Sequence, residues 1–202
     1  MPPLDSSISQ LILWAFVGYG LGSIPFGMVL ARLMGLGNLR EIGSGNIGAT
    51  NVLRTGNKTA AALTLLLDGG KGAAAVLITR AFAPEDSVQV AALAAMLGHC
   101  YPVWLGFRGG KGVATFIGIW LALAWPVGLA CCALWLLAAA VTRMSSMGAL
   151  VSAAGSTLCA VFLGYGTTLI FGVLVTLLVF WRHRENIRRI RAGTESRIGQ
   201  KG

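Results

Sequence analysis

Hydropathy divides this chain into long apolar runs joined by short polar segments. The runs occupy about residues 8–34, 59–82, 87–105, 113–125, 126–142, 147–163 and 167–181. A helix standing upright in a bilayer needs about 20 apolar residues, and several of these runs are shorter. The pattern therefore predicts an all-α integral membrane protein with about seven transmembrane helices, several of them short or broken. It is expected to form one polytopic membrane domain over residues 1–202, with a basic tail from about residue 182.

Composition supports the membrane reading. Of 202 residues, 55% are hydrophobic and only 11% charged, with a mean hydropathy of +0.74. A soluble domain carries about a quarter charged residues.

The net charge of +9 reports topology. Arg32, Arg40, Arg54, Lys58, Arg108, Lys111 and Arg143 fall on joints of one parity, together with the tail residues Arg182, Arg184, Arg188, Arg189, Arg191, Arg197 and Lys201. The opposite joints hold Asp5, Glu85, Asp86, the Trp125-Pro126 turn, the Gly164-Tyr165-Gly166 turn and a single basic residue, Arg80. Translocation leaves Lys and Arg in the cytoplasm, so the expected N-terminus is outside and the C-terminus cytoplasmic. Nucleic-acid binding needs a basic face on a folded domain or an aromatic stacking platform, and neither is visible. No signal peptide is expected, because the first apolar run follows an uncharged or acidic start.

Cys100, Cys131, Cys132 and Cys159 lack metal-ligand spacing and read as small hydrophobes, so no metal is expected. All the strongly polar pieces lie on joints of the cytoplasmic parity. These are SGNIGATN (44–51), GGKG (109–112), Met144-Ser145-Ser146 and HREN (183–186). A second GGKG, residues 69–72, follows Asp68 and opens an apolar stretch. Each GGKG would set glycine N–H groups and a helix N-terminus beside a lysine, Lys71 or Lys111, which is an arrangement for an anion.

In SGNIGATN, glycines such as Gly48 let backbone approach a ligand. Ser44, Asn46, Thr50 and Asn51 add side-chain hydrogen-bonding groups, and Arg54 adds a planar fork suited to phosphate. The alternative, a helix cap at Ser44 and turn residues at Asn46 or Asn51, explains part of the cluster only. The segment Gly43–Gly48 matches GxGxxG but has apolar spans where a βαβ unit is required, and GGKG lacks the remainder of a Walker A loop. His183 and Asn186 sit at i and i+3, sharing a face on a continuing helix. Arg184, Arg188, Arg189 and Arg191 read as an interfacial basic helix, and His99 as a packed or interfacial histidine.

Taken together, GSIPFG (22–27), SGNIGATNVLR (44–54), LDGGKG (67–72), GHCYPVWLGFRGGKGVAT (98–115) and HRENIRRIRAGTE (183–195) resemble the bacterial membrane acyl-phosphate:glycerol-3-phosphate acyltransferases, the PlsY family. The resemblance runs from the first span to the tail. It implies an enzyme of the inner (cytoplasmic) membrane that acylates the sn-1 hydroxyl of glycerol 3-phosphate from acyl phosphate. The products would be lysophosphatidic acid and phosphate, with no cofactor. Implied partners are these two substrates, membrane lipids and a soluble enzyme that forms acyl phosphate.

By motif match and chemistry, Arg54, Lys111, His183 and Asn186 are the expected catalytic group. Ser44, Asn46, Gly48, Thr50, Asn51, Gly109, Gly110, Ser146 and Lys71 are the expected substrate-binding group. The HxxxxD dyad of other acyltransferases is absent, since Trp104 stands five after His99 and Arg188 five after His183. Glu41 and Glu185 are expected to pair with neighbouring arginines. Catalysis would then rest on positioning and charge stabilisation. A transporter of a small phosphorylated solute is the alternative; against it, the polar motifs face one way and the repeat is parallel rather than inverted.

Overall fold

The computed structural model describes residues 2–199, and every described element is helical. Lys201, counted above in the basic tail, lies outside the described residues. Ten α-helices follow in order: α1 Ile8–Gly22, α2 Phe26–Leu33, α3 Ala49–Leu53, α4 Lys58–Phe82, α5 Glu85–Cys100, α6 Val113–Leu123, α7 Trp125–Thr142, α8 Ser145–Phe162, α9 Leu169–Arg182 and α10 Arg184–Arg191. The all-α membrane expectation is met, because each predicted apolar run is helical and large apolar side chains such as Phe16, Leu77, Leu129, Val141 and Phe162 remain exposed, as contact with lipid requires.

Local sequence explains the element ends. Ser7 and Gln10 form a reciprocal capping box at the start of α1, satisfying N–H groups that a helix leaves open. Pro25, which has no N–H to give, separates α1 from α2. Gly112, at φ +83, starts α6, a conformation that glycine enters without strain.

Among the described residues five segments are long and apolar enough to cross a membrane: Ile8–Leu33, Lys58–Phe82, Glu85–Leu105, Trp125–Thr142 and Ser145–Phe162. The other two runs give the short helix α6, of 11 residues, and the helical segment Gly166–Arg182, which bends by 60° into α10. The anticipated short and broken helices are these two. Residues 59–67 belong to the unbroken α4.

Small residues bring the helices together. With lipid tails as apolar as leucine, helix association relies on backbone proximity and close packing. Gly18 and Gly22 of α1 face Ala91 and Ala95 of α5, and a Cβ on either glycine would lie 2.2 or 2.0 Å from the alanine carbonyl oxygen. Gly118 of α6 meets Gly69 of α4 as closely. Around these contacts Phe116, Ile119, Trp120, Phe171, Val175 and Val179 form the buried centre, with Trp120 and Phe171 edge-to-face.

The two ends of the bundle differ in chemistry. At one end Asp86 accepts from the Ser6 amide and hydroxyl. There Arg80 also donates to the carbonyls of Ala122 and Leu123, closing the end of α6. The lone basic residue of these joints is thus a helix cap. At the other end Arg40 donates to the Arg108 carbonyl and Arg143 to that of Ile198.

Gly22→Leu should overpack the α1–α5 contact and destabilise the protein by about 1–3 kcal/mol. Gly20→Ala, where an added Cβ meets nothing within 4 Å, should be neutral. Thermal unfolding in detergent distinguishes the two.

Candidate active site

Four polar segments far apart in sequence converge on one cavity of about 560 Å³. Its polar wall holds Ser44, Asn46, Thr50 and Arg54 from the first loop and Lys111 from the second. Ser146 of α8, His183 and Asn186 at the α9–α10 bend, and Arg189, Glu195 and Ser196 of the tail complete that wall. Its apolar wall is formed by Leu65 and Leu66 of α4, Ile117 and Leu121 of α6, and Trp135 and Leu136 of α7. Charge and grease therefore share one space.

The first loop is organised by Asn51. Only 2% exposed, it donates through Nδ2 to the carbonyls of Leu39 (2.9 Å) and Asn46 (2.7 Å). Its Oδ1 accepts from the Ser44 amide at 3.1 Å and from Arg54 Nη1 at 3.4 Å. Both amide protons are thereby spent, so Asn51, although it lines the cavity, holds the loop and has no donor left for a ligand. Among the described residues the side chains of Asn46 and Thr50 make no hydrogen bond, and both line the cavity. Gly48, not Ser44, is the N-cap of α3 and lines the cavity too, which removes the capping explanation for Ser44. Arg54 Nη2 donates to Ser196 Oγ at 2.6 Å.

The two GGKG copies fold differently. Lys111 stands just before α6 and donates to Asn186 Oδ1 at 2.6 Å. Gly109 and Gly110, however, spend their N–H groups on the carbonyls of Cys100 and His99 and do not line the cavity. A Cβ on Gly109 would lie 2.1 Å from the His99 carbonyl oxygen, so these glycines seat the loop against α5 rather than offering N–H groups to an anion. The copy at 69–72 lies in the middle of α4, where the helix itself takes up every N–H; the expected helix N-terminus beside Lys71 is not there. Lys71 is buried and does not itself line the cavity; it stands 2.8 Å from Oδ1 of Asp68, which does, and donates to the Ile24 carbonyl at the α1–α2 break.

Glu195, given no role in the sequence reading, is the hub of the tail. Its Oε1 accepts from Ser146 Oγ and Asn186 Nδ2, each at 2.6 Å, and its Oε2 from Arg189 Nε at 2.7 Å. Burial opposes its charge, but these three donors outweigh that and hold the carboxyl below its ordinary pKa. Arg189 therefore belongs to the cavity, not to the interfacial set with Arg184, Arg188 and Arg191. Glu185 does pair with Arg184 and Arg188, whereas Glu41 accepts from Asn38 instead of an arginine. The signal in the sequence was a carboxylate set among arginines just after Gly193.

Burial lowers the Lys111 pKa to about 8, with Arg189, Arg182 and Arg54 adding to the effect and Glu195 opposing it. An ammonium so placed holds its charge near neutrality and gains from an incoming anion. His183 ends α9 rather than lying within a continuing helix, and its Nδ1 is 2.8 Å from the Val179 carbonyl. As a carbonyl only accepts, Nδ1 carries the proton and Nε2 of the neutral ring is an acceptor. His99 is buried and reaches the cavity wall. No group of three or more potential metal-ligating side chains occurs among the described residues.

A family model described as glycerol-3-phosphate acyltransferase matches residues 12–193. The chain is 70% identical over 201 residues to a glycerol-3-phosphate acyltransferase of Ruegeria pomeroyi, covering 100% of this chain and 99% of that one. Among solved structures it resembles the glycerol 3-phosphate form of PlsY (YgiH), an integral membrane glycerol 3-phosphate acyltransferase, with a TM-score of 0.88. That pair is 38% identical, with 94% of this chain and 96% of the other covered. The lysophosphatidic acid form of PlsY superposes with a TM-score of 0.85 at 36% identity, covering 94% and 95%.

Glu195→Ala leaves Ser146, Asn186 and Arg189 without their acceptor. At about 1–3 kcal/mol for each charged hydrogen bond removed, the variant should unfold at a clearly lower temperature in detergent. Glu195→Gln, which retains an acceptor oxygen, should lose less.

Proposed function

The chain belongs to the family of glycerol-3-phosphate acyltransferases, and we propose that it transfers a fatty acyl group from acyl phosphate to the sn-1 hydroxyl of glycerol 3-phosphate. The products are 1-acylglycerol 3-phosphate, which is lysophosphatidic acid, and inorganic phosphate. One observation carries this reading: a wall bearing Arg54, Lys111 and Arg189 is continuous with an apolar slot between α4, α6 and α7. Such a space suits two phosphate-bearing reactants of which one has a long hydrocarbon tail.

Arg54 offers a planar fork for a phosphate and Lys111 a compact charge. Asn46 and Thr50, with side chains uncommitted to the fold, are assigned to hydrogen bonds with the glycerol backbone or the phosphates, and Ser44 stands beside them. Asn186 holds the Lys111 ammonium, and Ser146 with Glu195 holds Asn186. The acceptor hydroxyl attacks the acyl carbonyl carbon, and the bond from that carbon to the phosphate oxygen breaks with its electron pair leaving on phosphate. The hydroxyl proton goes to the departing phosphate, while His183 Nε2 accepts a hydrogen bond from the neighbouring sn-2 hydroxyl and so orients the acceptor. Phosphate is a good leaving group, so positioning and charge stabilisation suffice without a protein nucleophile.

The family resemblance and the distribution of Lys and Arg support a bacterial inner membrane with the cavity mouth in the cytoplasm. There water-soluble glycerol 3-phosphate and a donor made by a separate soluble enzyme both arrive. The forms of PlsY named for glycerol 3-phosphate and lysophosphatidic acid agree with this choice of acceptor and product.

Purified protein given acyl phosphate and glycerol 3-phosphate should release phosphate and lysophosphatidic acid in equal amounts. Uptake of glycerol 3-phosphate into sealed liposomes without product would overturn the proposal in favour of transport. Arg54→Ala and Lys111→Ala should each lower kcat/KM by about 10- to 100-fold, the loss of a charge-assisted hydrogen bond, with membrane insertion unchanged.

Lys111 is charged below pH of about 8 and neutral above it. For glycerol 3-phosphate, kcat/KM should therefore fall as pH rises through that value. A bound phosphate keeps the ammonium charged, so kcat, which reports the bound enzyme, should fall only at higher pH. Steady-state kinetics between about pH 7 and pH 9 separate these limbs.

A further inference from the structure

Among the side chains given no part in the reaction above, Arg182 makes the most specific set of contacts. It is the last residue of α9. Its Nε donates to the Gly110 carbonyl and its Nη2 to the Gly109 carbonyl, both at 3.0 Å. Its guanidinium also lies over the Tyr101 ring, 4.9 Å from the centroid. The same two glycines are buried and give their N–H groups to α5, so their carbonyls face away from α5 toward α9. A buried carbonyl needs a partner, and Arg182 supplies both bonds from one rigid fork.

We propose that Arg182 is a positioning residue for the acceptor-phosphate site: by gripping two successive carbonyls of the Gly109–Gly110 loop it fixes where the Lys111 ammonium stands. The assignment rests on the function proposed above. The contacts form a closed ring. Arg182 holds Gly110, Gly110 precedes Lys111, Lys111 binds Asn186, and Asn186 lies four residues beyond Arg182. One bend between α9 and α10 thus sets both the backbone that carries the lysine and the amide that receives it. A lysine in place of Arg182 would keep the charge but lose the fork, since an ammonium does not reproduce the two parallel N–H groups.

Two variants separate positioning from mere stability. Arg182→Lys should raise KM for glycerol 3-phosphate about tenfold, with KM for acyl phosphate and the alkaline limb of kcat/KM left near wild type. Arg182→Gln removes a cation beside Lys111, whose other charged or titratable neighbours are Glu195, Arg189, Arg54 and His183. In this variant Lys111 should lose its proton at higher pH. Amine-directed labelling of Lys111 against pH, read by mass spectrometry, measures that shift without any turnover.

Unchanged KM for glycerol 3-phosphate in Arg182→Lys with an unmoved labelling midpoint in Arg182→Gln would overturn the proposal. A parallel loss of kcat and of both KM values with the midpoint unmoved, or loss of cooperative unfolding in both variants, would also overturn it by showing a purely structural residue. If the unaltered protein makes no lysophosphatidic acid yet Arg182→Lys, which keeps the charge, speeds amide hydrogen exchange at Gly109 and Gly110, the proposed function fails and the grip on the loop stands.

Discussion

The cationic wall of the cavity depends on a carboxylate brought in from the far end of the chain. Arg54, Lys111 and Arg189 surround one space at the end of an apolar bundle, where their mutual repulsion is poorly screened. Glu195 sits among them, bonded to Arg189 directly and joined to Lys111 through Asn186. Without that counter-charge the cations would be driven apart into water. With it, the tail becomes a wall of the cavity rather than a free basic extension. Ser146 of α8 shares the same carboxylate, so one group ties three elements together.

A separation of labour follows from how polar groups are satisfied. Asn51 spends its amide on loop carbonyls, and Gly109 and Gly110 spend their N–H groups on α5. These residues make the loops rigid. Asn46 and Thr50 remain uncommitted, and Arg54 and Lys111 each hold a single strong partner at 2.6 Å. A site preorganised in this way aims charge at a ligand without reorganising the backbone when the ligand arrives. The motif residues split between holding the loop and facing the cavity, and they do so by hydrogen-bond supply rather than by residue type.

The close helix contacts make this possible. Gly18 and Gly22 against α5, and Gly118 at the centre of α6 against α4, bring backbones close, while Thr115 on the Asp68 carbonyl and Arg80 on the carbonyls of Ala122 and Leu123 hold the short α6 near its two ends. The mouth is then built on the starts of α3 and α8, on the α9–α10 bend and on the loops of residues 34–48 and 101–112 that these helices hold. The buried pair of Lys71 with Asp68 serves the same framework, because it gives the carbonyl at the α1–α2 break a donor deep in the bundle.

Much was legible in the chain itself. Apolar runs gave the helices, since in hydrocarbon a backbone must satisfy its own polar groups and a helix does so locally. The parity of Lys and Arg marked which joints would meet, and residues such as Ser44, Asn46, Arg54, Lys111, Ser146, His183 and Asn186 all reach the cavity. Two identical GGKG strings could not be told apart by sequence. One starts α6 and the other is interior to α4, a difference made by the helix that precedes it. Nor did sequence separate Glu195 and Arg189 from their charged neighbours. Their pairing spans the turn after α10 and acquires its meaning from Ser146, 49 positions away. Local propensity and hydropathy act over a few residues, so they determine elements and ends. Which polar atoms are left over for chemistry is decided only when distant segments have taken their share of donors and acceptors in the folded bundle.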